Sequence, residues 1–180
     1  MLSIIINVAT VIMGIIGFRI AYGFRGWKIF IFYTEISNAV GLLSSLLYLL
    51  GYVHAATWRY LACVMLTMTF LISLFILSPS EGSVKKVMLQ AHCLYFHTLI
   101  PLLTLFSYIF LEPHSNAWYL PVTITLIYGC IMYYMNCIDK VTGPYPFFEV
   151  HRLGFAKSLM WFLCLLGVII LLSLLIMAIA

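Results

Sequence analysis

The sequence predicts an all-α integral membrane protein, a single domain over residues 1–180 built as a bundle of six transmembrane helices with short loops. Three observations carry this. Of 180 residues, 65% are hydrophobic and 8% are charged, where a soluble domain would be roughly 25% charged. The apolar residues fall into six stretches, each near the about 20 residues that a spanning helix needs. Lys and Arg gather beside alternate connections. Six spans use about 120 residues, which leaves no room for a separate soluble domain.

The first span is expected over residues 1–21. It has no basic leader and no small-x-small cleavage site, so it reads as a retained span rather than a secretory signal. The Gly23–Gly26 connection suits a turn, and Tyr22, Phe24 and Trp27 suit a membrane interface. The second span, 29–52, carries Thr34, Ser37, Asn38 and Gly41 at helical spacing, a small polar stripe on one face. Glu35 lies beside it. The third span, 57–77, holds Arg59 at its start and Thr67 and Thr69 in its middle; otherwise it reads as scaffold. Ser78 to Lys86 is a loop of turn formers.

The fourth stretch, 87–113, is the one around which the chain is organised. It carries Gln90, His92, Cys93, His97 and Pro101 inside an apolar segment. Such groups are costly in hydrocarbon and face a bundle interior or a wet cavity. Pro101 removes a backbone donor and exposes a carbonyl about one turn earlier, that of His97. The fifth span, 118–138, is rich in Tyr and ends near Asn136. The connection that follows holds Pro144, Tyr145, Pro146, Phe147 and Phe148 and reads as a rigid, interfacial loop. The sixth span, 153–180, is nearly all aliphatic after Trp161 and reads as lipid-facing.

Eight of the nine Lys and Arg residues flank the first, third and fifth connections, and Arg59 alone flanks the others. This bias places those three loops in the cytoplasm and both termini outside. The net charge of +4 is thereby a matter of topology. No nucleic-acid partner is implied, since Lys85-Lys86 is the one basic cluster. Cys63, Cys93, Cys130, Cys137 and Cys164 form no CxxC pair, so neither a zinc knuckle nor a disulfide framework is indicated. His92 and His97 lack i,i+4 spacing, and no carboxylate on their span completes a metal site.

From the expected helix starts, Thr34 lies about 9 Å and His97 about 15 Å in from the cytoplasmic side, at ~1.5 Å rise per residue. The two depths overlap within a turn. A hydroxyl beside a neutral imidazole is an activated nucleophile. Tyr33, Ser37, Asn38 and Asn136 are donors suited to an oxyanion. Glu35 suits orienting the histidine or pairing with a cation such as Arg19. The same residues also suit plainer roles, with Thr34 bonding its own backbone and Glu35 in a structural ion pair.

Three blocks then carry a resemblance: Trp27-Lys28 followed by Thr34 and Asn38; His97-Thr98-Leu99-Ile100-Pro101; and Val141-Thr142-Gly143 followed by Tyr145-Pro146-Phe147-Phe148-Glu149. In their order and place the chain resembles the androgen-induced protein and androgen-dependent TFPI-regulating protein family, with its bacterial six-span relatives. The resemblance implies a multi-pass hydrolase of fatty-acid esters of hydroxy fatty acids, with Thr34 as nucleophile and His97 as base. It implies no cofactor, a membrane lipid or fatty-acyl ester as partner, and, through the bacterial branch, a bacterial cytoplasmic membrane. Glu35, Ser37, Asn38, His92, Cys93 and Asn136 are the expected supporting or substrate-binding residues. Two other functions fit the same residues: a non-catalytic lipid-binding or transport protein, and an acyltransferase using Cys93.

Overall fold

The structure, a computed structural model, describes residues 1–143 and 145–180. Pro144, expected within the rigid loop, lies outside the described residues. Among the described residues there is no strand. Helix α1, Leu2–Arg25, ends at Gly26, whose φ of 56° is left-handed backbone that favours glycine. A 3₁₀ turn, Gly26–Ile31, leads into α2, Tyr33–Leu49. Helix α3, Ala55–Ile72, runs on through a π-helical turn at Ser73–Leu77 into the short α4, Ser78–Ser80. A second π-helical turn, Lys85–Leu89, stops at Gln90, which is extended. A third, Leu94–Leu99, opens directly into α5, Ile100–Leu111. Helix α6, Tyr119–Cys137, is followed by a 3₁₀ turn at Pro146–Phe148, the short α7, Val150–Leu153, and α8, Phe155–Ile179.

Five stretches are long and apolar enough to cross a membrane: Leu2–Ile31, Ala55–Ser80, Leu94–Leu111, Tyr119–Cys137 and Phe155–Ile179. The expected second span is not among them, because α2 has 17 residues and is dense in polar groups. The fourth is shorter than expected. Its helix does not start at Val87, since Gln90 is extended and Ala91 has a φ of 51°.

The packing centre is α3 rather than the fourth stretch. Tyr60 through Leu66 are all buried, as befits a helix apolar on every side, and α3 touches α2, α5, α6 and α8. The outer helices bury single stripes. In α8 these are Ser158, Phe162, Leu165, Ile169, Ser173 and Ile176, spaced three or four apart. The faces turned outward carry exposed Ile15, Ile131 and Leu171. From Thr10 on, the stripe of α1 is made of small residues, Thr10, Gly14, Gly17 and Ala21, and Gly17 lets Phe96 lie against the helix backbone. A side chain at that position would collide with the ring. This contact fixes the segment around His97 against α1.

At the end of the bundle away from the Lys/Arg-rich loops, Arg59 and Glu112 form a buried pair. Arg59 Nε and Nη2 donate to the Glu112 carboxylate at 2.6 and 3.0 Å. Asn7 Nδ2 and Ser107 Oγ donate to the same carboxylate, and Arg59 Nη1 reaches Ser45 Oγ at 3.0 Å. The network ties α1, α2, α3 and the end of α5 together.

Candidate active site

Thr34 is the second residue of α2, which Phe32 enters in an extended conformation. The first N–H groups of a helix lack intrahelical partners. That of Thr34 donates to Tyr145 Oη at 3.1 Å, and Thr34 Oγ1 lies 3.3 Å from the same phenol. Behind it, Ser37 Oγ and Asn38 Nδ2 both donate to the Thr34 carbonyl, at 2.9 and 2.8 Å. Ser37 is in turn held by Thr69 Oγ1 at 2.8 Å. The polar stripe expected on α2 is therefore real and buried, and it serves to anchor the backbone of Thr34.

His97 lies within the π-helical turn before Pro101. Without a proline N–H the α ladder cannot continue unbroken, and the turn widens until Ile100 N–H reaches the Tyr95 carbonyl, five residues back. The carbonyl of this turn that a side chain reaches is that of Phe96. Asn38 Nδ2 donates to it at 3.1 Å, so one amide links the Thr34 turn to the His97 turn. The segment Lys85–Leu89 ends nearby with free carbonyls. His97 Nδ1 bonds Val87 O at 2.5 Å, and Thr98 Oγ1 bonds Met88 O at 2.7 Å. A carbonyl only accepts, so Nδ1 carries the proton and Nε2 the lone pair.

Thr34 and His97 are both near the starts of their helices, at the Lys/Arg-rich end. Both line one cavity of ≈ 360 Å³, together with Glu35, His92, Cys93 and Tyr145. His92 and His97 reach the same cavity because the chain between them is not a regular helix. A second, apolar slot of ≈ 40 Å³ lies on the other side of Thr34 and Tyr145, lined by Met68, Ile72, Phe162 and Leu165 among others. Thr34 and Tyr145 thus stand between a polar chamber and an apolar one.

Glu35 is buried and pairs with Arg25 at 3.7 Å, not with Arg19, and does not orient His97, whose Nδ1 is already taken. Cys93 lies half-buried with Sγ 4.0 Å from His92 Nε2, beside the other histidine. Asn136 is not part of the cavity lining. Its amide bonds the Met132 carbonyl at 2.9 Å and its own carbonyl faces His151. Tyr33 is likewise committed, to Thr125 at 2.8 Å.

What sequence reasoning missed is the contact of Tyr145 with Thr34. Tyr145 was legible as an aromatic in a rigid loop and as part of the third block of the resemblance; its place against Thr34, 111 positions away, leaves no trace in spacing. Burial, and after it the Glu35 carboxylate, pushes its phenol up to about 12, so at neutral pH it remains a hydrogen-bond donor. No protein-family model, curated protein or solved structure matches the chain.

Proposed function

We propose that this protein is a multi-pass membrane hydrolase of fatty-acyl esters, with Thr34 as nucleophile, His97 as base and Tyr145 as oxyanion donor. The observation that carries the reading is the position of the Thr34 hydroxyl, between an apolar slot and a polar cavity lined by His97. An ester of a fatty acid has the same division, with its carbonyl at the junction. The first acyl carbons lie at the slot between α3, α6 and α8, which opens further to admit the rest of the chain, and the alcohol portion lies in the polar cavity.

In acylation, Thr34 Oγ1 attacks the ester carbonyl while His97 Nε2 takes its proton. The Tyr145 O–H donates to the developing oxyanion. His97 then returns the proton to the departing alcohol, leaving the acyl group on Thr34, and water releases it as the free acid. The apolar outer faces and five long apolar helices support insertion in a bilayer. We take α2 as a sixth, short crossing, preceded by the 3₁₀ turn. The Lys/Arg bias then puts the site at the cytoplasmic end, with both termini outside. A pocket blocked at one end fits a hydrolase better than a transporter, and at the end of the bundle far from the cavity the space is filled by the Arg59–Glu112 network.

The test is intact mass after treating detergent-purified protein with a fluorophosphonate probe. Wild type should gain one adduct, mapped to Thr34 and absent from Thr34→Ala and His97→Ala. Folded wild type that gains none would sink the hydrolase reading and favour passive lipid binding.

A further inference from the structure

Two carboxylates are buried in this bundle, and they are treated differently. Glu112 receives four donated hydrogen bonds, from Asn7, Ser107 and twice from Arg59. Glu35 is 1% exposed, yet among the described residues neither of its oxygens has a hydrogen-bond partner. Arg25 stands 3.7 Å from it, beyond hydrogen-bond reach, and rests over the Phe32 ring at 4.3 Å. An ionised carboxylate has room for about four donors, and a buried acceptor left unsatisfied loses its hydration with nothing in return. Such an exception asks for a partner outside the chain.

The cavity says where that partner sits. Glu35 lines the same ≈ 360 Å³ space as Thr34 and His97, a space large enough and polar enough for water. His97 has no use for the carboxylate, because the Val87 carbonyl holds its Nδ1. A group with empty acceptor sites beside the nucleophile calls for a donor, and the donor that hydrolysis must bring is water.

We propose that Glu35 is the general base of the second half-reaction, holding and activating the water that cleaves the acyl-Thr34 ester. This rests on the reading of Thr34 as nucleophile. The water gives one proton to the Glu35 carboxylate as its oxygen bonds to the acyl carbonyl carbon. When the intermediate collapses, the bond from that carbon to Thr34 Oγ1 breaks. Oγ1 takes the proton back from Glu35, and the fatty acid leaves. Water is consumed, and both side chains return to their starting states.

The test uses full-length protein in lipid nanodiscs with p-nitrophenyl decanoate, following p-nitrophenolate release and intact mass together. Glu35→Gln should release one equivalent in a burst and then turn over about 100-fold more slowly than wild type, the range of a lost general base. Its mass should show a decanoyl adduct on Thr34. Glu35→Ala should recover turnover several-fold on adding formate, which a purely structural role would not give. Arg25→Gln removes the nearby cation and leaves the carboxylate. If Arg25→Gln and Glu35→Gln fail alike, Glu35 is only half of an ion pair and the proposal is overturned. Turnover in Glu35→Gln within about threefold of wild type, far short of the loss expected of a base, overturns it too. A wild type that releases no p-nitrophenolate, together with no Thr34 adduct in Glu35→Gln, instead removes the hydrolase reading itself.

Discussion

Tyr145 Oη accepts the Thr34 N–H and touches the Thr34 hydroxyl. Among the described residues it is the one side chain bonded to both the backbone N–H and the hydroxyl of the proposed nucleophile. Its own proton is free to turn toward an oxyanion. Removing one such donor from a preorganised site lowers kcat by about 10²–10³. Tyr145→Phe should show that loss in ester turnover with KM little changed, and should still fold, since the ring keeps its stacking on Phe147. A kcat within a few-fold of wild type would remove Tyr145 from the mechanism. At this scale the sequence was informative about residue types on a single helix. Thr34, Ser37 and Asn38 could be put on one face from spacing alone. Spacing put the Thr34 carbonyl within reach of Ser37 and Asn38, but not the phenol of Tyr145 beside the Thr34 hydroxyl.

At the scale of elements, the π-helical turn at Leu94–Leu99 decides where His97 sits. Pro101 announces a disturbed ladder, but not that the ladder widens rather than kinks. Nor is the break before it marked by Gly or Pro; Ala91 takes a left-handed φ without either. The outcome depends on partners far along the chain: the Val87 and Met88 carbonyls, Asn38, and Phe96 against Gly17. Pro101→Ala restores the missing N–H and allows the turn to relax to α spacing, which moves His97 round the helix by part of a turn. Ester turnover should fall at least tenfold, or about 1.4 kcal/mol in barrier, while thermal stability in detergent holds or rises. Unchanged turnover would mean that the widened turn does not position the imidazole.

On the scale of the whole molecule, the two ends are built for different purposes. One end holds a cavity with an unsatisfied carboxylate; the other is closed by the Arg59–Glu112 network. Breaking a buried pair by removing one partner costs about 3–5 kcal/mol, since it strands a charge. Glu112→Gln should therefore lower the melting temperature markedly. Fluorophosphonate labelling of Thr34 below the transition should persist, because the pair lies at the opposite end of the helices. Loss of labelling in folded Glu112→Gln protein would show that the two ends are coupled.

The sequence by itself determined the class: an all-helical chain whose apolar stretches, and whose α2 stripe of small polar residues, follow from composition and helical period. Those signals are local, since hydropathy and spacing act within one helix. Only the tertiary structure decided that α3 is the buried centre, that Arg59 and Glu112 find each other across 53 positions, and that Tyr145 meets Thr34. It also decided that Asn136 lies apart from the cavity. Each of these depends on which helix faces which, and that is fixed by packing and by the satisfaction of buried polar groups, for which no single stretch of sequence carries the partner.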